Sequence, residues 1–296
     1  MLRSYLFAPG NNEKLLTKVF SAGADAVVLD LEDAVSPADK ETARRLTAQT
    51  LKQQVAKVQP RIFVRINAVG SPWWREDLRS VVQPNISGIR LPKAESLEQV
   101  RQAAFVLEEC EAHAGMKLGS VRLVCTIESA AGVLAAAEMA RHSRVAGFTF
   151  GAADFLTDIG GEADARETAT LFARSQLVLI SRAAGIAPPV AAVYTNVTDL
   201  DGLRHSTVTE RNLGFFGRSC IHPRQVPVVN EVFTPTAAQL AQARAIVAAH
   251  EEAQAAGSAV TVLPNGEFVD RPVVLRAQAL LALDEALRLK EPQSCT

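Results

Sequence analysis

Two carboxylates close neighbouring apolar runs. Glu128 follows Val121–Ile127, and Asp154 comes shortly after Val145–Phe150. If both runs are adjacent strands of one sheet, the two acids face one spot. With water and substrate oxygens they would make a Mg2+ site. A local role is also open to them, with Glu128 capping a helix that starts at Ser129 and Asp154 capping the next. No histidine accompanies them at ligand spacing, so hard oxygen ligands favour Mg2+ over Zn2+. His222 is the strand-end imidazole, and a structural role suits it. Arg65 ends the run Arg61-Ile62-Phe63-Val64-Arg65. A guanidinium buried there needs a partner. A substrate carboxylate held by two parallel N–H bonds is one. Glu32 or Asp33, at the end of the preceding run, is the other. Near the N-terminus, Pro9-Gly10-Asn11-Asn12 leads into a helical pattern carrying Lys14 and Lys18. A glycine turn, a helix start and two lysines suit phosphates; a solvated helix face accounts for the lysines equally well.

These side chains need elements to carry them. Short runs rich in Val, Ile, Leu and Phe recur at Ser4–Ala8, Ala26–Leu31, Ile62–Ile66, Gly88–Leu91, Val121–Ile127, Val145–Phe150, Val190–Tyr194 and Phe215–Ile221. Their continuous apolar character fits a parallel sheet buried on both faces. Helical patterns separate them: one capped by Asn11 or Asn12, one opened by Ser36-Pro37, one by Ser71-Pro72, then Ser96–Ala114, Ser129–Arg141, Arg166–Ala184, Asp199–Asn212 and Pro223–Val232. Eight strand-then-helix units predict a (β/α)8 TIM barrel over residues 1–234, with its active site at the C-terminal ends of the strands. Seven of the eight runs end in charged or strongly polar residues, and this convergence argues for a functional rim.

Residues 235–296 break the pattern. A helix over Ala237–Ala256, a loop over Gly257–Pro272 and a helix over Val273–Lys290 form a C-terminal helical and lid extension, too short for an independent core.

Composition narrows the function. The chain has 296 residues, 48% hydrophobic and 21% charged, with a formal charge of −1. That is ordinary globular composition, with no electrostatic case for nucleic acid or an anionic membrane. Cys110, Cys125, Cys220 and Cys295 form no metal-type cluster, and Cys125 and Cys220 read as small buried hydrophobes. The N-terminal segment lacks the apolar stretch of a signal peptide, and no window approaches the ~20 apolar residues of a membrane span. A reducing cytoplasm is the expected setting.

The strings RSYLFAPGNNEKLLTK, GADAVVLDLEDAVSPADKETAR, VRINAVGSPW, GIRLPKAES, TIESAAGVLAAAEMA, FTFGAADF and CIHPRQVPVVNEVFTP resemble the ordered motifs of the citrate lyase β-subunit-like family of the HpcH/HpaI aldolase/citrate lyase superfamily. The tail NGEFVDRPVVLRAQ resembles the lid motif of malyl-CoA and citramalyl-CoA lyases. The resemblance implies a Mg2+-dependent lyase acting on a carboxylated 3-hydroxyacyl-CoA, with citrate lyase β-subunit activity as the alternative. A CoA-independent class II aldolase and a non-catalytic binding barrel are further ones. It implies Glu128 and Asp154 as metal ligands, and Arg65 as the substrate-carboxylate arginine. It also implies Glu32 and Asp33 as acids that hold water on the metal and orient substrate. Asn12, Lys14 and Lys18 fall where CoA phosphates are contacted. Asp270 matches a lid acid that reaches the site of a neighbouring subunit, which implies a homotrimer or hexamer. The chain departs from many relatives at Ala153, where they carry an acid, and at Asn12, where some carry arginine. The loop Phe155–Gly160 lacks the pattern of strict malyl-CoA lyases.

Overall fold

The structure, a computed structural model, describes residues 1–54, 60–164 and 167–289. Arg166, Lys290 and Cys295 lie outside the described residues. The chain divides into two compact units, one spanning Leu2–Glu231 and the other running from Val232 onward.

The larger unit is built on a parallel sheet. Its strands are β1 (Ser4–Pro9), β2 (Ala26–Asp30), β3 (Arg61–Arg65), β4 (Gly88–Leu91), β5 (Arg122–Ile127), β6 (Val145–Phe150) and β7 (Arg218–Cys220). They lie in the order β6-β5-β4-β3-β2-β1-β7. Every residue of β2 is buried, Val27, Val28 and Leu29 completely. Each such side chain stabilises the fold by about 1.5–3 kcal/mol, which is why these runs lack the polar alternation of a half-exposed sheet.

The sheet has seven strands, not the expected eight. The run Val190–Tyr194 forms two single parallel bridges, Val190 with Thr149 and Ala191 with Arg218. Val190 donates to Phe148 O and accepts from Phe150 N, while Ala191 donates to Gly217 O and accepts from Ser219 N. One segment thus touches both edge strands, so the sheet is curled. Pro188 and Pro189 precede it and have no N–H to give a ladder. The structure thus shows a curled parallel sheet of seven strands, short of the complete eight-stranded barrel. The last strand is also shorter than the expected Phe215–Ile221.

Helices follow most strands: α1 (Glu13–Lys18), α2 (Lys40–Gln53), α3 (Trp74–Val81), α4 (Leu97–His113), α5 (Ala130–Met139), α6 (Ala152–Ile159), α7 (Thr168–Ala184), α8 (Leu200–Leu213) and α9 (Gln225–Phe233). Several start signals act as expected. Asn12 caps α1, Ser129 caps α5 and Asp199 caps α8, and Ser96 with Gln99 forms a reciprocal capping box on α4. Ser71-Pro72 does not open a helix; α3 begins at Trp74, with no side-chain cap. Ser36-Pro37 leads into a 3-10 turn before α2, and Ser36 makes no cap bond.

The smaller unit contains α10 (Ala237–Ala255), an antiparallel pair β8 (Thr261–Val262) and β9 (Phe268–Val269), and α11 (Arg271–Arg288). Against expectation it has a hydrophobic cluster of its own, including Ile246, Leu263, Val269 and Val274. No described helix is long and apolar enough to cross a membrane.

Candidate active site

The C-terminal ends of β2, β3 and β4 converge on a charged network. Asp30, the last residue of β2, is buried. Arg65, the last of β3, offers it a two-bond fork, with Nε donating to Oδ1 at 2.7 Å and Nη2 to Oδ2 at 2.6 Å. The other guanidinium nitrogen lies 2.9 Å from Glu32 Oε2 and 3.6 Å from Asp33 Oδ2. Arg65 is thus held by three acids, and its strongest partner is Asp30 rather than the Glu32 or Asp33 expected from the sequence. Burial opposes its charge, but Asp30, Glu32 and Asp33 outweigh that and raise its pKa. Lys40 Nζ donates to the carbonyls of Leu31 and Glu32, fixing the turn after β2.

Lys93 links this network to the next strands. Its ammonium sits 2.9 Å from Glu32 Oε1 and 3.5 Å from Asp33 Oδ1. Its backbone N–H donates to Glu128 Oε1 at 2.6 Å. Its φ is +49°, in the left-handed region that a long side chain seldom occupies. One residue thus clamps three acids, two through its ammonium and one through its backbone N–H. Burial raises the Glu32 pKa even though Arg65 and Lys93 pull it down.

Glu128 does not cap a helix; Ser129 does that. Asp154 lies inside the first turn of α6, whose N-cap is Gly151. The local roles considered for both acids are therefore not the ones they take. Glu128 is buried, and burial pushes its carboxyl up to about 7; the nearby charges of Glu32 and Asp154 act in the same direction, against the Lys93 N–H and Arg65. Gly151 makes room for it, since a Cβ at that position would lie 2.6 Å from both Cβ and Oε2 of Glu128.

Glu128 and exposed Asp154 both line a cavity of about 270 Å3, together with Arg65, Arg90, Thr126 and Thr149. Two carboxylates on one cavity, one of them desolvated beside like charges, fit a divalent cation that would relieve the repulsion. Among the described residues no group of three or more His, Cys, Asp or Glu could hold a metal. A cation here would complete its shell with water and substrate oxygens, as Mg2+ does.

The remaining expected residues make local contacts. Asn12 accepts from Leu15 N at the start of α1, and Lys14 and Lys18 are exposed on that helix, which follows the C-terminal end of β1. Asp270 belongs to the smaller unit and caps α11, accepting from Val273 N at 3.2 Å. His222 Nδ1 accepts from Arg224 N in a turn, in keeping with a structural role. Asp30, Lys93 and Arg90 were not singled out by sequence reasoning. Arg90 had a usable signal, a cation in the middle of the apolar run Gly-Ile-Arg-Leu.

The family model HpcH/HpaI aldolase/citrate lyase matches residues 3–223. The chain is 38% identical to the citrate lyase subunit beta of Leuconostoc mesenteroides subsp. cremoris, over 98% of this chain and 96% of that protein. It is 34% identical to a (3S)-malyl-CoA thioesterase of Cereibacter sphaeroides, over 96% and 95% of the two chains. Among solved structures, the protein CitE of Mycobacterium tuberculosis in complex with magnesium, acetoacetate and coenzyme A is similar at a TM-score of 0.79 and 30% identity, covering 95% of this chain and 97% of that one.

Proposed function

The chain belongs to the HpcH/HpaI aldolase/citrate lyase family, and on that premise we propose that it is a Mg2+-dependent carbon–carbon lyase. Its substrate is a carboxylated 3-hydroxyacyl-CoA such as malyl-CoA or citramalyl-CoA, cleaved or formed by Claisen-type condensation. The observation that carries the reading is the pair Glu128 and Asp154 on one cavity, with Arg65 at its side. Magnesium and coenzyme A in the similar CitE structure support it.

Glu128 and Asp154 would hold a Mg2+ ion, which when bound would supply Lewis-acid polarisation of the reacting substrate oxygens. Arg65, braced by Asp30 and Glu32, orients the substrate carboxylate. In cleavage the hydroxyl gives up its proton and the C–C bond breaks, its electron pair passing to the α-carbon of the thioester. That carbon then takes a proton, leaving a 2-oxo acid and an acyl-CoA. Glu32 and Asp33 hold water and orient substrate beside the metal. Asp270 is the acid/base at the α-carbon, delivered by a neighbouring subunit of a trimer or hexamer. Asn12, Lys14 and Lys18 take the CoA phosphates. Free Cys110, Cys125 and Cys220 accord with a reducing cytoplasm.

Similarity to a citrate lyase β-subunit supports a second reading, cleavage of a citryl thioester. The thioesterase relative makes hydrolysis the outcome to separate from lysis. A panel of malyl-, citramalyl- and citryl-CoA, assayed with Mg2+ and with EDTA, tests the proposal. A 2-oxo acid and an acyl-CoA are expected with Mg2+ alone. Release of free CoA without a 2-oxo acid, or equal activity in EDTA, overturns it.

A further inference from the structure

Glu128 and Asp154 stand on different elements, so whatever joins those elements sets their separation. Glu128 follows β5 and precedes α5. Asp154 lies in the first turn of α6, the helix Ala152–Ile159. Two hydrogen bonds tie one segment to the other. Gly151 N donates to Ile127 O at 2.9 Å. Ala130 N donates to Asp158 Oδ2 at 2.7 Å. Ile127 and Ala130 flank Glu128 in the chain, and Gly151 and Asp158 flank Asp154. Each carboxylate is thus enclosed between the same two cross-links.

The first cross-link holds the start of α6. Phe155 secures the same end: its N–H donates to Gly151 O at 3.0 Å, and its ring packs on Phe150 with centroids 5.3 Å apart. These contacts make a pivot but leave the helix free to swing about it. A tilt of about 10° would move an atom about 5 Å from the pivot, three residues along a helix, by roughly 0.9 Å. Mg2+ tolerates little such error, because it demands near-ideal octahedral geometry.

Asp158 supplies the second point of attachment. It lies one helical turn beyond Asp154, on the same face of the helix. The hydroxyl of its neighbour Thr157 donates to Ala153 O within α6. Among the described residues, Asp158 is therefore the α6 side chain that hydrogen-bonds to another element. The bond serves α5 as well. Ser129 Oγ caps that helix by accepting from Gly132 N, and Ala130 N, which has no acceptor in its own first turn, is answered by Asp158. A carboxylate there also meets the positive end of the helix dipole. Asp158 is exposed, but its partner is a fixed main-chain N–H, so only one short side chain has to be held.

We propose that Asp158 is a positioning residue for the divalent cation: it clasps α6 to the start of α5 and so sets where Asp154 stands relative to Glu128. This rests on the reading of that pair as the Mg2+ ligands. Asp158 does not line the cavity that the two carboxylates share, so it acts through Asp154 rather than on the ion.

The test breaks the clasp from each side and reads Mg2+ binding to the whole chain by calorimetry. Asp158→Ala removes the acceptor. Ala130→Pro removes the donor at the first position of α5, where proline is tolerated. Each should weaken Mg2+ binding at least about tenfold, on the scale of losing a ligand's support. The double variant should bind Mg2+ no more weakly than the poorer single one, since both remove one bond. Asp158→Asn, whose amide oxygen can still accept, should recover part of the affinity, and Thr157→Ala should match the wild type. In a lyase assay the Mg2+ concentration for half-maximal rate should rise by the same factor, while kcat at saturating Mg2+ stays within about threefold. If Asp158→Ala fails to fold, Ala130→Pro and Asp158→Asn decide. Wild-type Mg2+ affinity in the clasp variants, even with a lower melting temperature, overturns the proposal and leaves the metal pair standing. A wild type that binds no Mg2+ overturns the pair and the clasp together. If Mg2+ binds and depends on Asp158 yet no thioester is cleaved, the lyase reading falls and the clasp stands.

Discussion

Gly151→Ala adds one methyl group, and the structure specifies where it must go. Gly151 follows β6, caps α6 and donates its N–H to Ile127 O at 2.9 Å. The new Cβ would stand 2.6 Å from Glu128 Cβ and 2.6 Å from Glu128 Oε2. Neither can simply yield. The Glu128 Cβ is fixed by strand β5, and its carboxylate is pinned by the 2.6 Å bond from Lys93 N. Two responses remain. Either the carboxylate swings off Lys93, or the start of α6 shifts and carries Asp154 with it. Overpacking of this kind costs about 1–3 kcal/mol. At about 2–4 °C per kcal/mol for a chain of this size, the melting temperature should fall by several degrees. Both responses also alter the separation of the two carboxylates. Mg2+ demands near-octahedral geometry, so the Mg2+ concentration for half-maximal activity should rise about 10–100-fold, the range seen when a ligand's support is lost. The assay is a Mg2+ titration of lyase rate beside a thermal melt, with Gly147→Ala as control. Gly147 lies on β6 itself, and its added Cβ would meet Ala187 Cβ at an ordinary 3.4 Å. If Gly151→Ala kept the wild-type Mg2+ dependence and melting point, Glu128 would not be pinned where the carboxylate pair requires it.

Other substitutions probe the remaining parts. Arg65→Lys keeps the charge but cannot make the fork to Asp30, so kcat/KM should drop at least about tenfold for carboxylated substrates; a wild-type value would return Arg65 to a purely structural role. Lys18→Ala should raise KM for CoA thioesters at low ionic strength and have little effect at high salt, because an exposed lysine–phosphate contact is screened; an unchanged KM at low salt refutes the contact. Inactive Asp270→Ala chains mixed with inactive Glu128→Ala chains should recover part of the activity if the lid acid serves a neighbour's site, whereas demonstrably mixed oligomers that stay inactive would refute action between subunits. Glu111 gives a pH signature away from the site. Burial would raise its pKa, but Arg144 and the N–H groups of Val121 and Gly119 outweigh it and hold it below the usual range. Its contribution is therefore complete above the pKa of an unfolded glutamate, about 4.3, and fades as pH falls through the lower folded value. Glu111→Gln should remove that part of the acid dependence, and an unchanged melting-point profile from pH 5 downward would count against the pairing.

Much of this architecture is legible in the residues. Strands such as Ala26–Asp30 announce themselves because burial on both faces demands unbroken apolar side chains. Ser96, Ser129 and Asp199 mark helix starts because an N-cap oxygen satisfies local N–H groups. The places where the reading failed depend on neighbours distant in sequence. Val190–Tyr194 has a strand's composition, but Pro188-Pro189 strips its approach of donors. Asp30 reads as the close of an apolar run, and nothing in its local sequence says that Arg65 will take it in preference to Glu32. Lys93 sits in a short connecting segment, and its double hold on Glu32 and Glu128 depends on a positive φ that composition does not specify. The rim acids were legible because strand ends are countable; the partners that set their charge, Arg65 at the end of β3 and Lys93 just after β4, emerge only when the sheet is assembled.

The bridges at Val190 and Ala191 give the cavity one compliant side. Arg65, Arg90, Thr126, Thr149 and Phe150 on the facing wall belong to strand ladders, where moving a residue strains several bonds at once. Ala192, Val193 and Thr195, which line the void, continue from a segment paired at single points with Thr149 and Arg218. Local opening draws on the least tightly bonded parts of a fold, so this is where the wall gives first. A substrate of unfamiliar bulk would be admitted by bowing that seam outward, and selection for new acyl groups would act on its small side chains before it touched the charged clamps opposite.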